Sequence, residues 1–147
     1  MASLKKELKI KNDMAEVDKI RHFLKENLKE LNLSDKEYYK IEVSLLEIVL
    51  NIIRYAYLQE EGNIFIKTWQ AEGKIFFEIK DNGIPFDPRK AEKPDIKELI
   101  KNKKVGGLGI FLSRKLMDGF EYKRESNKNI LTMYKKIKEA EASDSSV

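Results

Sequence analysis

The sequence predicts an α+β fold, a two-layer sandwich of one mostly antiparallel mixed sheet with helices on one face. Three observations lead there. Segments of strand and helix periodicity follow in the order β, α, α, β, β, long loop, α, β, β. Strands and helices do not alternate strictly, which argues against a parallel doubly wound sheet. Residues 63–70 and 74–80 read as two strands joined by a turn at Ala71-Glu72-Gly73.

The elements follow in turn. Leu4, Leu8 and Ile10 share one face of a first strand, with Lys6 the exception. Val17, Ile20, Phe23, Leu24 and Leu28 recur at helical spacing, so a helix is expected from about Ala15 to Glu30. Ser34 followed by Glu37 forms a capping box for the next helix, expected to run to about Tyr57. Residues 63–70 and 74–80 read as strands. Residues 81–107 carry all three prolines and three of the seven glycines, which marks a long loop. Within it residues 95–100 suit a short helix. Leu108 to Met117 reads as a helix, and Phe120 to Glu125 and Ile130 to Ile137 as two closing strands. No interior linker is present: residues 1–138 read as one domain and residues 139–147 as a flexible tail.

Composition narrows the function. The chain has 147 residues, the size of one domain. With 29 Lys+Arg against 25 Asp+Glu, its charge of +4 is too small to point to nucleic acid. It suits an acidic protein partner or a polyphosphate as well. The absence of cysteine excludes disulfides, thiolate metal sites and cysteine nucleophiles. No apolar run is long enough to span a bilayer, and the N-terminus lacks a signal-peptide core. A cytoplasmic location, with no membrane and no direct nucleic-acid contact, is expected.

Three segments carry candidate chemistry. On the second helix, Lys40, Ser44, Glu47, Asn51 and Arg54 fall in one stripe roughly 80° wide. The rest of that helix is mostly apolar, so it reads as buried with a single polar seam. The seam either meets solvent or lines a site with a carboxylate, an amide and a cation. On the second strand pair, alternation puts Ile75, Phe77 and Ile79 on one face. Asp81 continues that face if the strand extends so far, and a core-facing carboxylate needs a donor. The same Asp81-Asn82-Gly83 also reads as a plain turn. The third segment, Gly106-Gly107-Leu108-Gly109, leads into a helix and suits an anion on backbone N–H groups. A flexible loop has the same composition. Neither G-x-x-x-x-G-K-[ST] nor G-x-G-x-x-G occurs.

Taken together and in this order, the segments resemble the GHKL ATPase superfamily, which includes gyrase and histidine kinases. Within it the chain is most similar to the stand-alone anti-sigma-factor serine kinases of the RsbW and SpoIIAB type. Residues 81–88 resemble their D-x-G-x-x-F-D-P. Residues 106–112 with Leu116-Met117-Asp118 resemble G-G-L-G-L-x-L…L-M-D, and Asn51 through Tyr57 resembles N-A-[IV]-x-H-A-Y. The likeness spans residues 4 to 137.

The resemblance implies a Bergerat-type sandwich with an ATP lid over residues 87–105, and ATP with Mg²⁺ as cofactors. It implies Asn51 as the Mg²⁺ ligand and Glu47 as general base on the attacking hydroxyl. Asp81 would accept from the adenine amino group, and Gly83 would let the chain pass close to the base. Gly106, Gly107, Leu108 and Gly109 would face the phosphates, joined by Arg54. Asn129 and Thr132 would complete the nucleotide contacts. The implied activity is serine phosphorylation of a STAS-domain anti-anti-sigma protein, with sequestration of a sigma factor and a homodimer as the working form. There are departures. The relatives' Gly-Thr pair before the last strand is Lys128-Asn129 here, Tyr55 stands for a histidine, and Ile52 for an alanine. A nucleotide-dependent partner switch without transfer activity is the other reading. The sole histidine, His22, reads as structural or exposed.

Overall fold

A computed structural model describes residues 4–57, 60–85 and 113–137. The strands are β1 (Lys6–Lys11), β2 (Asn63–Ala71), β3 (Lys74–Asp81), β4 (Gly119–Glu125) and β5 (Lys128–Lys136). They form one sheet in the order β1-β2-β3-β5-β4, and every neighbouring pair is antiparallel. The mixed character expected from the sequence does not appear among the described strands. Two-residue turns fold β2–β3 and β4–β5 into hairpins, which accounts for two of the four pairings. Glu72 and Gly73 have φ of 53° and 73°, and Ser126 and Asn127 have 52° and 63°. Two successive positive φ values are the turn geometry that matches strand twist.

Two helices, α1 (Val17–Leu28) and α2 (Asp35–Asn51), cover one face of the sheet. Ile20, Leu24 and Leu28 of α1 and Ile41, Leu45, Ile48 and Val49 of α2 are buried. They meet the alternate residues Ile64 and Ile66 of β2, Ile75, Phe77 and Ile79 of β3, and Leu131 and Met133 of β5. Ile10 joins this core from β1, while Leu4 precedes the strand and is 82% exposed. On the other face Trp69 stacks on Phe76, with ring centroids 5.3 Å apart, and Tyr134 follows at 5.5 Å.

The start of α2 is set as its sequence predicts, because Ser34 Oγ accepts from the Glu37 N–H at 3.1 Å. The Glu37 carboxylate does not close the box. It turns to Lys40 at 3.6 Å and to Lys135 at 3.7 Å. The end of α2 differs from expectation. The α-helix stops at Asn51 and the chain continues as a π-helical turn, Ile52–Ala56. There the Ile52 N–H is shared between the Ile48 and Val49 carbonyls. Such widened turns are frequent at functional sites. The expected helix 95–100, most of the expected helix 108–117 and the tail lie outside the described residues. Residues 113–116 are helical.

Candidate functional site

Strand alternation decides where Asp81 goes. β3 extends to Asp81, so the carboxylate falls on the core face after Ile75, Phe77 and Ile79 and is only 3% exposed. In the register of β3 and β5, Asp81 stands directly opposite Asn129. Asn129 Nδ2 donates to Asp81 Oδ1 at 2.9 Å, and the Gly83 N–H donates to the same oxygen at 2.8 Å. Burial pushes the Asp81 carboxyl above its ordinary 3.8, while these two hydrogen bonds and the Arg124 charge pull it back.

The loop after β3 is held from three sides. The Ile84 N–H donates to the Ala56 carbonyl at 2.9 Å, which ties the loop to the π-helical turn. The Asn82 N–H donates to the Tyr57 hydroxyl at 2.8 Å. From the β4–β5 hairpin, Arg124 Nη1 donates to the Gly83 carbonyl at 2.7 Å and Asn129 Nδ2 to the Ile84 carbonyl at 2.7 Å. Gly83 itself is required by packing. A Cβ there would lie 2.4 Å from the Ala56 carbonyl oxygen and 2.6 Å from the Ala56 Cβ. The close neighbour of Gly83 is thus Ala56, in the π-helical turn that follows the second helix.

These elements line an open pocket. Its walls are apolar: Ile48 and Ile52 on the helix side, Ile79 and Leu131 on the sheet side, with the rings of Tyr55 and Tyr122. Its polar groups are Asn51, Asp81 and Asn129. Apolar walls with a few convergent polar atoms are the usual make-up of a small-molecule site.

The polar seam of α2 resolves residue by residue. Asn51 is 5% exposed, and its Nδ2 donates to the Glu47 carbonyl at 2.9 Å. That bond leaves the amide oxygen as the end able to serve a ligand. Glu47 lies one turn earlier and is half-buried, and its carboxylate has no partner among the described residues. Ser44 is fully buried, with Ser113 Oγ donating to its carbonyl at 3.2 Å. Arg54 is exposed, as is His22. The seam therefore does not simply meet solvent: its middle is buried beside the pocket.

The structure brings Asn51, Asp81, Gly83 and Asn129 together, with Glu47 adjoining. It does not bring Thr132 to them. Thr132 pairs with Glu78, and its flanking residues Leu131 and Met133 are the buried ones, so it lies on the opposite face of the sheet. Strand alternation overrides the proximity in sequence to Asn129. Gly106, Gly107, Leu108 and Gly109 lie outside the described residues. Three site residues were not anticipated from the sequence: Tyr57, Tyr122 and Arg124. Alternation along Phe120 to Glu125 already puts Tyr122 and Arg124 on one face, but only the hairpin register shows that this face meets Asp81.

The profile of the histidine kinase-like ATPase domain matches residues 10–135. The chain belongs to that family. A relative named serine-protein kinase RsbW from Listeria monocytogenes is 30% identical over 73% of this chain and 72% of its own length. Another of that name from Bacillus thuringiensis is 31% identical over 66% of this chain. The match spans 62% of the length of that Bacillus relative. Among solved structures, the RsbU and RsbW domains of a Mycobacterium tuberculosis protein superpose with a TM-score of 0.66 at 14% identity. That likeness covers 92% of this chain and 33% of the other. The catalytic domain of the histidine kinase ThkA gives 0.53 at 16% identity over 92% of this chain and 97% of its own. These two likenesses concern the fold, and both agree with the α+β sandwich. No helix among the described residues of this ATPase-family chain is long and apolar enough to cross a membrane.

Proposed function

We propose that this chain binds ATP with Mg²⁺ and transfers the γ-phosphoryl group to a serine of a STAS-domain anti-anti-sigma protein, and that it also sequesters a sigma factor. The observation that carries this reading is the convergence of Asp81 and Asn51 on one apolar-walled pocket, with Glu47 one helical turn before Asn51. Asp81 accepts from the adenine amino group between the apolar walls.

The residues present suit Mg²⁺ of one particular kind of site. No group of three or more His, Asp or Glu side chains among the described residues is arranged to hold a metal alone. Mg²⁺ takes oxygen ligands and shares them with substrate phosphates and water. The Asn51 amide oxygen, left over once its nitrogen is bonded to the Glu47 carbonyl, is such a ligand. When bound, Mg²⁺ neutralises charge on the transferred phosphoryl group.

Glu47 takes the proton of the attacking serine hydroxyl at its unpartnered carboxylate. The new bond joins the serine oxygen to the γ-phosphorus, and the bond to the β,γ-bridging oxygen breaks to release ADP. Arg54, Gly106, Gly107, Leu108 and Gly109 are assigned to the phosphates by family likeness. The names of the curated relatives support the serine-kinase reading. Cytoplasmic location and a homodimer belong to the same proposal. β1 is an edge strand, bonded only to β2 within the sheet, and offers a face or edge for a second copy. The test is incubation with radiolabelled ATP, Mg²⁺ and a STAS-domain partner. Label on a partner serine is expected. ATP binding without transfer to any genuine partner would leave a nucleotide-dependent binding switch instead.

A further inference from the structure

Asp81 and Asn129 have a fixed polarity. Asn129 Nδ2 meets two acceptors, Asp81 Oδ1 at 2.9 Å and the Ile84 carbonyl at 2.7 Å. Only the nitrogen end of an amide can serve both. Its Oδ1 then accepts from the Tyr122 hydroxyl at 2.6 Å, which fixes the amide from the other side. With the Gly83 N–H at 2.8 Å, Asp81 Oδ1 carries two donors. No protein donor among the described residues takes Asp81 Oδ2, and the side chain lines the pocket.

We infer that Asn129, oriented by Tyr122, is the positioning residue that sets purine selectivity: it commits Asp81 Oδ1 to the protein and leaves Oδ2 as the acceptor facing the base. This rests on the ATP reading above and deepens it. A 6-aminopurine offers a donor at that point. A 6-oxopurine in the same seat offers an acceptor, which would face a carboxylate oxygen with no proton between them. Charge-assisted hydrogen bonds of this kind discriminate by about 10- to 100-fold.

The polarity leads to an inversion. In Asp81→Asn the side-chain oxygen must take the inner position, because Gly83 and Asn129 both donate there. The new amide nitrogen then faces the pocket and donates. That arrangement matches a 6-oxopurine and opposes a 6-aminopurine, so base preference reverses.

Protonation acts in the same sense. With Oδ1 occupied, a proton on Asp81 goes to Oδ2 and turns the acceptor into a donor. The titratable groups facing Asp81 are Tyr57, which follows the π-helical turn, and Tyr122 and Arg124 from β4. Asn129, Gly83 and Arg124 oppose the upward push of burial. Preference for the aminopurine therefore falls as pH falls through the raised value. Removing the Asn129 amide moves that fall to higher pH.

The experiment measures binding of ATP and of inosine triphosphate, each with Mg²⁺, to the full chain by calorimetry across pH. The proteins are the wild type, Asp81→Asn, Asn129→Ala and Tyr122→Phe, each checked by thermal melt. Wild type should prefer ATP by at least about 10-fold. Asp81→Asn should prefer inosine triphosphate. Asn129→Ala should bring the ratio within about threefold of unity, with Tyr122→Phe between it and wild type. A wild-type ratio and pH profile in Asn129→Ala would overturn the inference, as would equal weakening of both ligands in Asp81→Asn. If Asn129→Ala does not fold, Tyr122→Phe and Asp81→Asn decide. A wild type that binds neither nucleotide defeats the ATP reading and this inference together. One that binds both alike defeats this inference alone.

Discussion

Gly83→Ala is the substitution that the packing of the site loop makes most informative. A Cβ at this position meets the Ala56 carbonyl oxygen at 2.4 Å, the Ala56 Cβ at 2.6 Å and the Ala56 carbonyl carbon at 2.7 Å. Two of these atoms are backbone, so no side-chain rotation relieves the contact. Overpacking of this kind costs about 1–3 kcal/mol. The loop must also withdraw from Ala56, which strains the 2.9 Å bond from the Ile84 N–H and adds about 1 kcal/mol. The sum of about 2–4 kcal/mol lowers the melting midpoint by roughly 6–15 °C in a domain of this size. Withdrawal also moves the Gly83 N–H that holds Asp81, so nucleotide affinity falls with stability. The control is Gly73→Ala. Gly73 has φ of +73° but nothing within 4 Å of an added Cβ, so it loses only about 1 kcal/mol to left-handed strain and keeps binding. Thermal melts followed by circular dichroism and binding calorimetry read both quantities. A Gly83→Ala protein that melts and binds like the wild type would refute the packing role.

Other outcomes follow from the same geometry. Asn51→Ala should abolish Mg²⁺-dependent nucleotide binding, and unchanged ATP affinity with Mg²⁺ in titration calorimetry would remove Asn51 as the metal ligand. Glu47→Gln keeps shape but loses the base, so phosphotransfer should drop by about two orders of magnitude or more at near-normal ATP affinity; wild-type transfer in the radiolabel assay would reject the assignment. Sedimentation should find a dimer at micromolar concentration, and monomer alone would remove the second copy from the proposal. The Asp81 carboxyl, raised by burial, makes the unliganded fold more stable below the ordinary value of 3.8 and progressively less stable as pH rises through the folded value. In Asp81→Asn this component of the melting profile should vanish, and an unchanged profile would assign it elsewhere.

Much of this was legible in the sequence because it rests on short-range periodicity. The apolar alternation of Ile75, Phe77 and Ile79 puts Asp81 on the core side if the strand reaches that far, and β3 does extend to Asp81. The helical spacing of Glu47 and Asn51 put both on one seam, and Ser34 marked the start of α2. Other features depend on distant partners. Local sequence gives no sign that Gly83 touches Ala56, because the contact forms between the end of a helix and the loop after a strand. The π-helical turn at Ile52–Ala56 is invisible to a 3.6-residue period. Thr132 is three residues from Asn129, and an odd number of steps along a strand ends on the opposite face.

The substitution of Lys128-Asn129 for the Gly-Thr pair of the resembled kinases can now be read through hydrogen-bond capacity. A threonine hydroxyl has one proton to give, and an asparagine amide has two. Asn129 uses its two on Asp81 Oδ1 and on the Ile84 carbonyl, so a single side chain both orients the carboxylate and fastens the loop that follows it. An uncompensated carboxylate at 3% exposure is costly. Asn129 and the Gly83 N–H offset that cost on one oxygen only, which leaves the other for a ligand donor. The antiparallel register that places residue 129 opposite residue 81 makes this possible, and the two-residue turn at Ser126-Asn127 fixes how β4 pairs with β5. Through that hairpin Tyr122 reaches Asn129 and Arg124 reaches the loop after β3. The departure from the family pattern is therefore compatible with base recognition, because the amide acts on the carboxylate from behind rather than on the base.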